Sequence, residues 1–572
     1  MNAHLLGCRL GRRGILVLAA ALFAYAVVIL ITGGFIVTTP WGTITSRAAI
    51  RPFIACGLLL LFYRVRLGQH WQTDIAPLDR LMWPPVIAAT ASIAAIVMGI
   101  AFGTTIAGGP DACGYVSQAA MLARGELTLA PPAWLADASW PGAAFSAAPV
   151  GYTPSPDARR QVPTYAPGLP LLMAVTQLAA GPNAVFYVVA ILGGLAVWAT
   201  WLIGKALGDA WAGATAALLL LSSPIFLLML FQPMSDVPAT AFWSLSLAAA
   251  LYRRPMGAGV AASFAILVRP NTVLLAAAPL GILLVSERRG RARRVAIFIA
   301  PIVPAAAAIG LLLWHYYGSP FHSGYGSLER IYGFDRVAIN ATQYGRWFVA
   351  SETALPLLGL LAPAVQRNTT SRILTLLVVV AFPSAVLVLY LLYELVIAPD
   401  ASHYLRFLLP AFPPLLVGFT MVLLSLSRRA KGWFAVRVVG ALLIWWVAVH
   451  GWQYARESNV FGFAAADERY AHSVAFAQAL PQRSLLISLA HSGPLHFYTG
   501  RDVLRFDALD AQAIDTAVTY FASRGTGVFF VGDRAEVELF KDRFAGSDTL
   551  RRLEAAAPID LGGAVAYSLN RH

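Results

Sequence analysis

The sequence contains little charge and few cysteines. Only 12% of its 572 residues are charged and 58% are hydrophobic, with a mean hydropathy of +0.67, whereas a soluble domain usually carries about 25% charged residues. Too little polar surface remains to cover that many apolar residues in water, so a water-soluble globule is excluded. Of the three cysteines, Cys8 and Cys56 lie in or beside apolar segments and Cys113 is alone, so no disulfide framework is implied.

A nucleotide-binding fingerprint is also missing. The run Arg524-Gly525-Thr526-Gly527 precedes a predicted strand instead of following one. The net charge of +14 would suggest a nucleic-acid partner in a soluble protein, but here the basic residues lie in short loops between apolar runs. In that position they are topology signals, so we expect a membrane as the partner and no nucleic acid.

Long apolar runs are what the sequence has in abundance. A helix needs about 20 apolar residues to cross a hydrocarbon core of roughly 30 Å. The sequence predicts a polytopic α-helical membrane protein with about thirteen spans, at residues 14–37, 49–66, 83–106, 183–204, 210–231, 237–252, 256–269, 271–286, 295–317, 347–364, 372–396, 405–426 and 433–453. The first run resembles a signal peptide but is too long for one, so it is predicted to be a retained span.

The positive-inside rule orients these spans. A cytoplasmic N-terminus places most loop arginines and lysines in the cytoplasm, and it places loop 107–165 outside. After residue 453 the composition becomes ordinary, with strand-like and helix-like segments alternating. We therefore predict a transmembrane domain over 1–453 and a small, soluble, extracytoplasmic α/β domain over 454–572.

Two acids at the outer ends of spans are candidates for chemistry, because ionisable groups at membrane depth cost at least about 2.5 kcal/mol each. Asp111 follows a Gly-Pro pair, and Tyr115 and Gln118 share its predicted helical face. Asp236 lies at the next outward turn. Either acid could instead be a simple helix cap.

Cations are predicted on the same side. Arg269, in the turn before Pro270, has a planar guanidinium that suits phosphate, but it could also pair with Asp236 or extend to the interface. Further candidates to contact phosphate or sugar lie near the outer ends of later spans: His403, Tyr404, Arg406 and Glu352.

Loop 107–165 is long for a compact protein, and such loops are usually functional or disordered. Its Trp134 and Trp140 favour a position on the membrane interface. The loop could close over a bound substrate and exclude water.

Acids, cations and aromatic residues thus converge on the outer face, where a cavity could bind an amphiphile. A carboxylate would repel an anionic head group. Either a divalent cation bridges Asp111 and Asp236, or the arginines hold a phosphate while an acid acts as base.

With these motifs in this order, the chain resembles the GT-C superfamily of membrane glycosyltransferases, which includes protein O-mannosyltransferases and the aminoarabinose transferase of lipid A. The resemblance covers roughly residues 83–427. It rests on Asp111, the run from Tyr165 to Pro170, Asp236, the turn Arg269-Pro270-Asn271 and the segment from His403 to Pro413. Many relatives have paired acids at the first site, whereas here Ala112 follows Asp111, which leaves open whether a metal is needed.

The resemblance implies transfer of a hexosyl or pentosyl group from a polyprenyl-phosphate donor to an extracytoplasmic glycan, lipid or protein, with inversion. Asp111 would be the general base and Asp236 its assistant, and Arg269 and Arg406 would stabilise the leaving phosphate. Tyr165 belongs to the implied substrate site. Together with the high Ala, Gly, Leu and Arg content, the resemblance suggests a bacterial inner membrane.

Two other functions remain open. A polyprenyl-lipid or glycolipid transporter or flippase would also use buried charges and broken helices, although no clear internal repeat supports it. A non-catalytic scaffold would recruit partners through the α/β domain, and it would tolerate Asp111→Ala.

Overall fold

The computed structural model describes residues 83–286, 289–395, 401–429 and 434–570, and before them 14–19, 21–23, 25–26, 29, 35–39, 42–46 and 50–67. Two compact units make up the chain, residues 1–87 and residues 88–572. Arg9, Arg12 and Arg13, the basic residues before the first predicted span, lie outside the described residues.

The first unit contains an antiparallel hairpin of strands β1 (Phe35–Thr39) and β2 (Gly42–Ser46), followed by helix α1 (Ile50–Leu67). The predicted span 14–37 is therefore wrong at its end. Its last three residues belong to β1, because the β-branched sequence FIVTT favours an extended strand.

Helices dominate the chain from residue 84 to residue 457. They are α2 (Pro84–Ala101), α3 (Pro110–Ala123), α4 (Gly168–Ala180), α5 (Tyr187–Ala206), α6 (Ala210–Ser222), α7 (Pro224–Leu230), α8 (Asp236–Leu251), α9 (Pro255–Val268), α10 (Ala277–Ser286), α11 (Arg291–Tyr317), α12 (Val337–Glu352), α13 (Thr369–Leu391), α14 (Ala401–Arg429) and α15 (Phe434–Glu457). Short 3-10 segments precede α5 and α10, at Pro182–Phe186 and Pro270–Ala276.

Six helices of the described chain are long and apolar enough to cross a membrane, or up to eight if each of two bent pairs counts as one span. The chain is thus an integral membrane protein, while the number thirteen stays a prediction. Helix α4 lies where the sequence predicted none, because its 13 residues are too few for a full span.

Two spans are bent rather than straight. Helices α6 and α7 meet at 67°, where Pro224 begins the second helix. The predicted span 347–364 is not one continuous helix, because α12 ends at Glu352 and the chain turns by 108° into Leu355–Val365. The cause is Thr353, whose φ of 64° no right-handed helix can contain.

A five-stranded sheet forms the C-terminal α/β domain, as the sequence predicts. The strands β7 (Ser484–Ser488), β8 (Asp502–Arg505), β9 (Gly527–Gly532), β10 (Ile559–Asp560) and β11 (Val565–Ser568) stand in the order β10-β11-β9-β7-β8, with β7 parallel to both neighbours. Helices α16 (Phe463–Ala479), α17 (Ser492–Thr499), α18 (Ala511–Ser523), α19 (Arg534–Arg543) and α20 (Asp548–Ala555) complete it. Because α15 runs across residue 453, the division at 453/454 stays a prediction.

Loop 107–165 packs against this domain. Besides α3 it contains the hairpin β3 (Tyr152–Pro154) and β4 (Gln161–Pro163); a second short hairpin, β5 (His322–Ser323) and β6 (Gly326–Ser327), follows α11.

The expected interfacial position of Trp134 and Trp140 is wrong. Both side chains are buried in the apolar core of the α/β domain, where their rings stack at 5.8 Å and Trp134 meets Phe521 edge to face at 5.2 Å. Burying two large rings against apolar side chains stabilises the contact more than an interfacial position would. The C-terminal domain therefore anchors the loop.

Candidate functional site

Asp111 lies in the first turn of α3 and holds two hydrogen-bond donors. The Tyr165 hydroxyl donates to Oδ1 at 2.7 Å, and Nη2 of Arg406 donates to Oδ2 at 2.8 Å. The cap position of the helix belongs to Gly109, whose φ of 65° suits glycine, so Asp111 does not serve as the cap. Its side chain is 32% exposed, and it remains within reach of a ligand.

Asp236 begins α8 and is completely buried. Its Oδ1 lies 2.5 Å from Nη2 of Arg269, which is one of the pairings the sequence left open. Among the residues described, Oδ2 has no hydrogen-bond partner. Arg269 also donates from Nε to Ser235 Oγ at 3.1 Å and from Nη1 to the Tyr390 hydroxyl at 3.3 Å. The guanidinium is therefore fixed from three sides.

Aromatic side chains join the two acid–arginine pairs into one cluster. The Tyr115 ring lies 4.8 Å from the Tyr165 ring, and the Tyr115 hydroxyl donates to Ser235 Oγ at 2.9 Å. The guanidinium carbons of Arg269 and Arg406 lie 5.2 Å and 5.3 Å from the ring centre of Phe407, within cation–π range. Helices α3, α8 and α14 and the turn after α9 thus meet at one place.

Gly114 makes this convergence sterically possible. A Cβ atom at this position would lie 2.1 Å from a ring carbon of Tyr165 and 3.1 Å from the backbone of Gly151. Only a residue without a side chain lets the Tyr165 ring lie against α3 and reach Asp111.

The remaining predicted residues divide into neighbours and outliers. The guanidinium carbon of Arg406 lies 5.6 Å from the centre of the Tyr404 ring. The ring centre of His403, an exposed residue, lies 4.4 Å from the same Tyr404 ring centre. Gln118 is fully buried on α3, and neither of its amide atoms has a partner in the described part of the chain.

Glu352 lies apart from the cluster. It accepts a hydrogen bond from Ser223 at 2.6 Å, beside the bend between α6 and α7. No hydrogen bond or ion pair between described residues links it to Asp111 or Asp236.

Sequence analysis missed Ser235, Tyr390 and Phe407. The Tyr390 ring stacks on Phe407 at 5.1 Å while its hydroxyl meets Arg269. One signal was available for Tyr390, since a tyrosine hydroxyl inside an apolar run needs a buried partner.

A second group of ionisable side chains lies at the carboxyl ends of β7 and β9. Ligand atoms of His491, Asp533 and Glu536 lie within 4.8 Å of one another and could hold a metal ion. His491 Nε2 is 2.9 Å from Asp533 Oδ1, and the Ala490 amide donates to Glu536 at 2.8 Å. Burial raises the pKa of Glu536. Burial also acts to raise the pKa of Asp533, but the hydrogen bond and the charge of His491 act in the other direction, and the pKa of Asp533 is lowered.

Comparison with known proteins indicates the fold. The family model described as dolichyl-phosphate-mannose-protein mannosyltransferase matches residues 166–314. No curated protein sequence resembles the chain closely enough to count as a match.

Three solved structures are similar to the chain. ArnT from Cupriavidus metallidurans, bound to undecaprenyl phosphate, is 14% identical over 85% of this chain and 99% of its own, with a TM-score of 0.53. The oligosaccharyltransferase of Archaeoglobus fulgidus, tethered to an acceptor peptide, is 12% identical over 85% and 74%, with a TM-score of 0.51. The mycobacterial arabinofuranosyltransferase AftD is 13% identical over 85% and 41%, with a TM-score of 0.50. The chain has the GT-C fold, which confirms the predicted fold class.

Proposed function

We propose that this protein is a membrane glycosyltransferase. It moves a hexosyl or pentosyl group from a polyprenyl-phosphate donor to an acceptor glycan, lipid or protein outside the cytoplasm, with inversion. The observation that carries the proposal is the meeting of two acid–arginine pairs around Phe407. The GT-C fold supports it, as does the lipid phosphate bound to ArnT.

Asp111 is the better general base of the two acids. A base must come within about 3 Å of the proton that it removes. Asp111 is 32% exposed, whereas Asp236 is completely buried and held by Arg269. In this proposal Asp236 is a positioning residue that fixes the Arg269 guanidinium.

Arg269 and Arg406 are placed to receive the phosphate. Their planar forks match phosphate oxygens, and both lie against the Phe407 ring. When the donor binds, its phosphate competes with Asp111 for Arg406. That competition frees Oδ2 of Asp111 at the moment when a base is needed.

The reaction then balances within this set of groups. The acceptor oxygen attacks the anomeric carbon while the bond from that carbon to the phosphate oxygen breaks. The bonding electrons leave with the phosphate, where the two arginines stabilise the new charge. The acceptor proton passes to Asp111. His403 and Tyr404 lie at the exposed approach and contact the sugar or the phosphate.

The arginines also bear on the question of a cation. Both Asp111 oxygens already accept hydrogen bonds, and each acid faces one guanidinium. The charge that a bridging divalent cation would supply is thus present in side chains. We therefore propose that Asp111 and Asp236 work without a metal, and that any bound cation belongs to His491, Asp533 and Glu536.

The site and the C-terminal domain share one side of the membrane in this proposal. The Ala107 amide, just before α3, donates to the Tyr498 hydroxyl at 3.0 Å, and the Val150 amide donates to Ser492 at 3.1 Å. The positive-inside rule makes this side extracytoplasmic, with the N-terminus in the cytoplasm. We propose the bacterial inner membrane as the location.

The bent spans are also compatible with one alternative function, a polyprenyl-lipid transporter, because broken helices often line transport paths. The two functions separate in one experiment. Purified protein is incubated with labelled polyprenyl-phosphate sugars and membrane extract, and the free polyprenyl phosphate and labelled acceptor are measured together. An enzyme produces both in equal amounts, and a transporter in vesicles moves the intact lipid without producing either.

The matched variants are Asp111→Asn and Asp209→Asn. Asp209 is also an acid paired with an arginine, Arg428 at 2.7 Å, but it caps α6, and asparagine caps a helix as well as aspartate does. Transfer is expected to be lost in the first variant and kept in the second. Full transfer by Asp111→Asn would place the base elsewhere.

A further inference from the structure

A groove of about 570 Å³ lies where α5 and α8 end, remote in sequence from Asp111 and Arg406. Its walls carry three aromatic side chains, Trp198, Trp201 and Tyr252, and two charged ones, Lys205 and Arg254. Leucine and alanine side chains supply the rest of the surface. We call the leucine and alanine part of this lining the apolar floor of the groove; its other side chains are aromatic or positively charged.

Both charges of the groove are positive. Lys205 and Arg254 are exposed, and neither forms an ion pair with any residue that the structure describes. The Lys205 amine lies 4.9 Å from the centre of the Trp201 ring, which orients it along the wall. An anionic group is the ligand that this charge distribution favours.

Trp201 supplies an independent sign of a missing acceptor. Its side chain is only 4% exposed, and in the described chain its Nε1–H donates to no acceptor. A buried donor without a partner costs about 1–3 kcal/mol. The Trp201 ring lines the groove, but its Nε1 has almost no accessible surface, so a ligand oxygen would reach this N–H after a small rotation of the side chain.

The residues of the groove are also typical of the depth of lipid head groups. Helix α5 belongs to a membrane-spanning segment, Lys205 is in its last turn, and Arg254 follows the end of α8. Tryptophan, tyrosine and lysine gather at the interface between lipid tails and water. Basic pockets between spans on the cytoplasmic side are typical contacts of anionic lipid head groups.

We propose that this groove binds an anionic glycerophospholipid of the cytoplasmic leaflet. Lys205, Arg254 and the Trp201 N–H bind its phosphate and ester oxygens, and an acyl chain lies along the leucine and alanine floor. The apolar floor distinguishes this ligand from a free phosphate ion. Helix α8 begins at Asp236 and ends at the groove, so the lipid would join α5 and α8 at the end opposite the proposed active site.

The test is native mass spectrometry of the delipidated, detergent-solubilised full chain titrated with phosphatidylglycerol or phosphatidylcholine. Phosphatidylglycerol is expected to bind about tenfold more tightly or better. Lys205→Gln/Arg254→Gln should remove that preference, because it should weaken phosphatidylglycerol binding more than phosphatidylcholine binding. Trp201→Phe keeps the ring and removes only the donor, so it should weaken phosphatidylglycerol by about fivefold.

The matched control is Arg289→Gln/Arg293→Gln, which removes two positive charges from another basic segment. Equal loss in this control would show attraction by net charge alone and would overturn the proposal, as would equal affinity of wild type for the two lipids. Thermal unfolding verifies that each variant is folded. If the double variant of the groove does not fold, Trp201→Phe decides, and unchanged phosphatidylglycerol affinity in that variant refutes the site.

Discussion

Breaking the buried pair of Asp236 and Arg269 tests the electrostatics of the cluster. In Asp236→Leu, Arg269 loses the carboxylate oxygen that lies 2.5 Å from its Nη2. Its charge then stays in a side chain that is only 11% exposed. Removal of one partner from a buried pair usually costs about 3–5 kcal/mol. Ser235 and Tyr390 still accept hydrogen bonds from the guanidinium, so we expect a loss of about 3 kcal/mol in the free energy of unfolding.

The double variant Asp236→Leu/Arg269→Met gives the complementary result. Replacement of a whole buried pair by apolar residues is often neutral or stabilising, so we expect it to unfold within about 1 kcal/mol of wild type. Additive effects would instead predict a loss of about 6 kcal/mol or more.

The assay is reversible denaturation in mixed micelles followed by circular dichroism, with sugar transfer measured in parallel. Both variants should lose transfer, because neither has a correctly placed Arg269. The reasoning fails if Asp236→Leu costs less than about 1 kcal/mol. It also fails if the double variant loses as much stability as Asp236→Leu and Arg269→Met, measured as single variants, lose together.

Four further results are expected. Arg406→Lys keeps the charge but loses the planar fork, so kcat/KM should fall about 100-fold; an unchanged value would exclude Arg406 from phosphate binding. Gly114→Ala should displace Tyr165 and cost about 1–3 kcal/mol of stability together with activity; wild-type thermal unfolding would contradict the close approach. Burial raises the pKa of Asp467 to about 6, so the folded state binds more protons than the unfolded state and stability falls from about pH 4 to about pH 6. Asp467→Asn should flatten that window in pH-dependent unfolding, and an unchanged slope would assign it to other groups. Transfer by wild type should continue in excess EDTA, and its loss on chelation would require a catalytic cation.

The convergence of Asp111, Asp236, Arg269 and Arg406 could be predicted because a simple rule governs it. Polar residues at the ends of apolar runs avoid the hydrocarbon core, so those on one side of the membrane gather near that surface. The order of the spans along the chain predicts which ends share a side. Local pattern therefore predicts that these four charged residues meet, without giving any distance and without predicting Ser235, Tyr390 or Phe407.

What the sequence could not supply depends on long-range packing. In the sequence, Trp134 and Trp140 look like interfacial residues, because no segment close to them along the chain is apolar enough to bury them. Their actual neighbour, Phe521, lies almost 400 residues further along the chain. Thr353 gave no sign of the sharp bend, since only its backbone conformation breaks the helix. The sequence therefore predicts one span through Thr353 and places Glu352 with the acids at the outer ends of spans.

Separating donor binding from transfer in Asp111→Asn tests the central claim most directly. With a labelled polyprenyl-phosphate sugar, we expect the donor Kd to stay within about threefold of wild type, because Arg269 and Arg406 still bind the phosphate. The transfer rate should fall at least about 100-fold, as loss of a general base requires. A transfer rate equal to that of wild type, with the donor bound normally, would contradict the account.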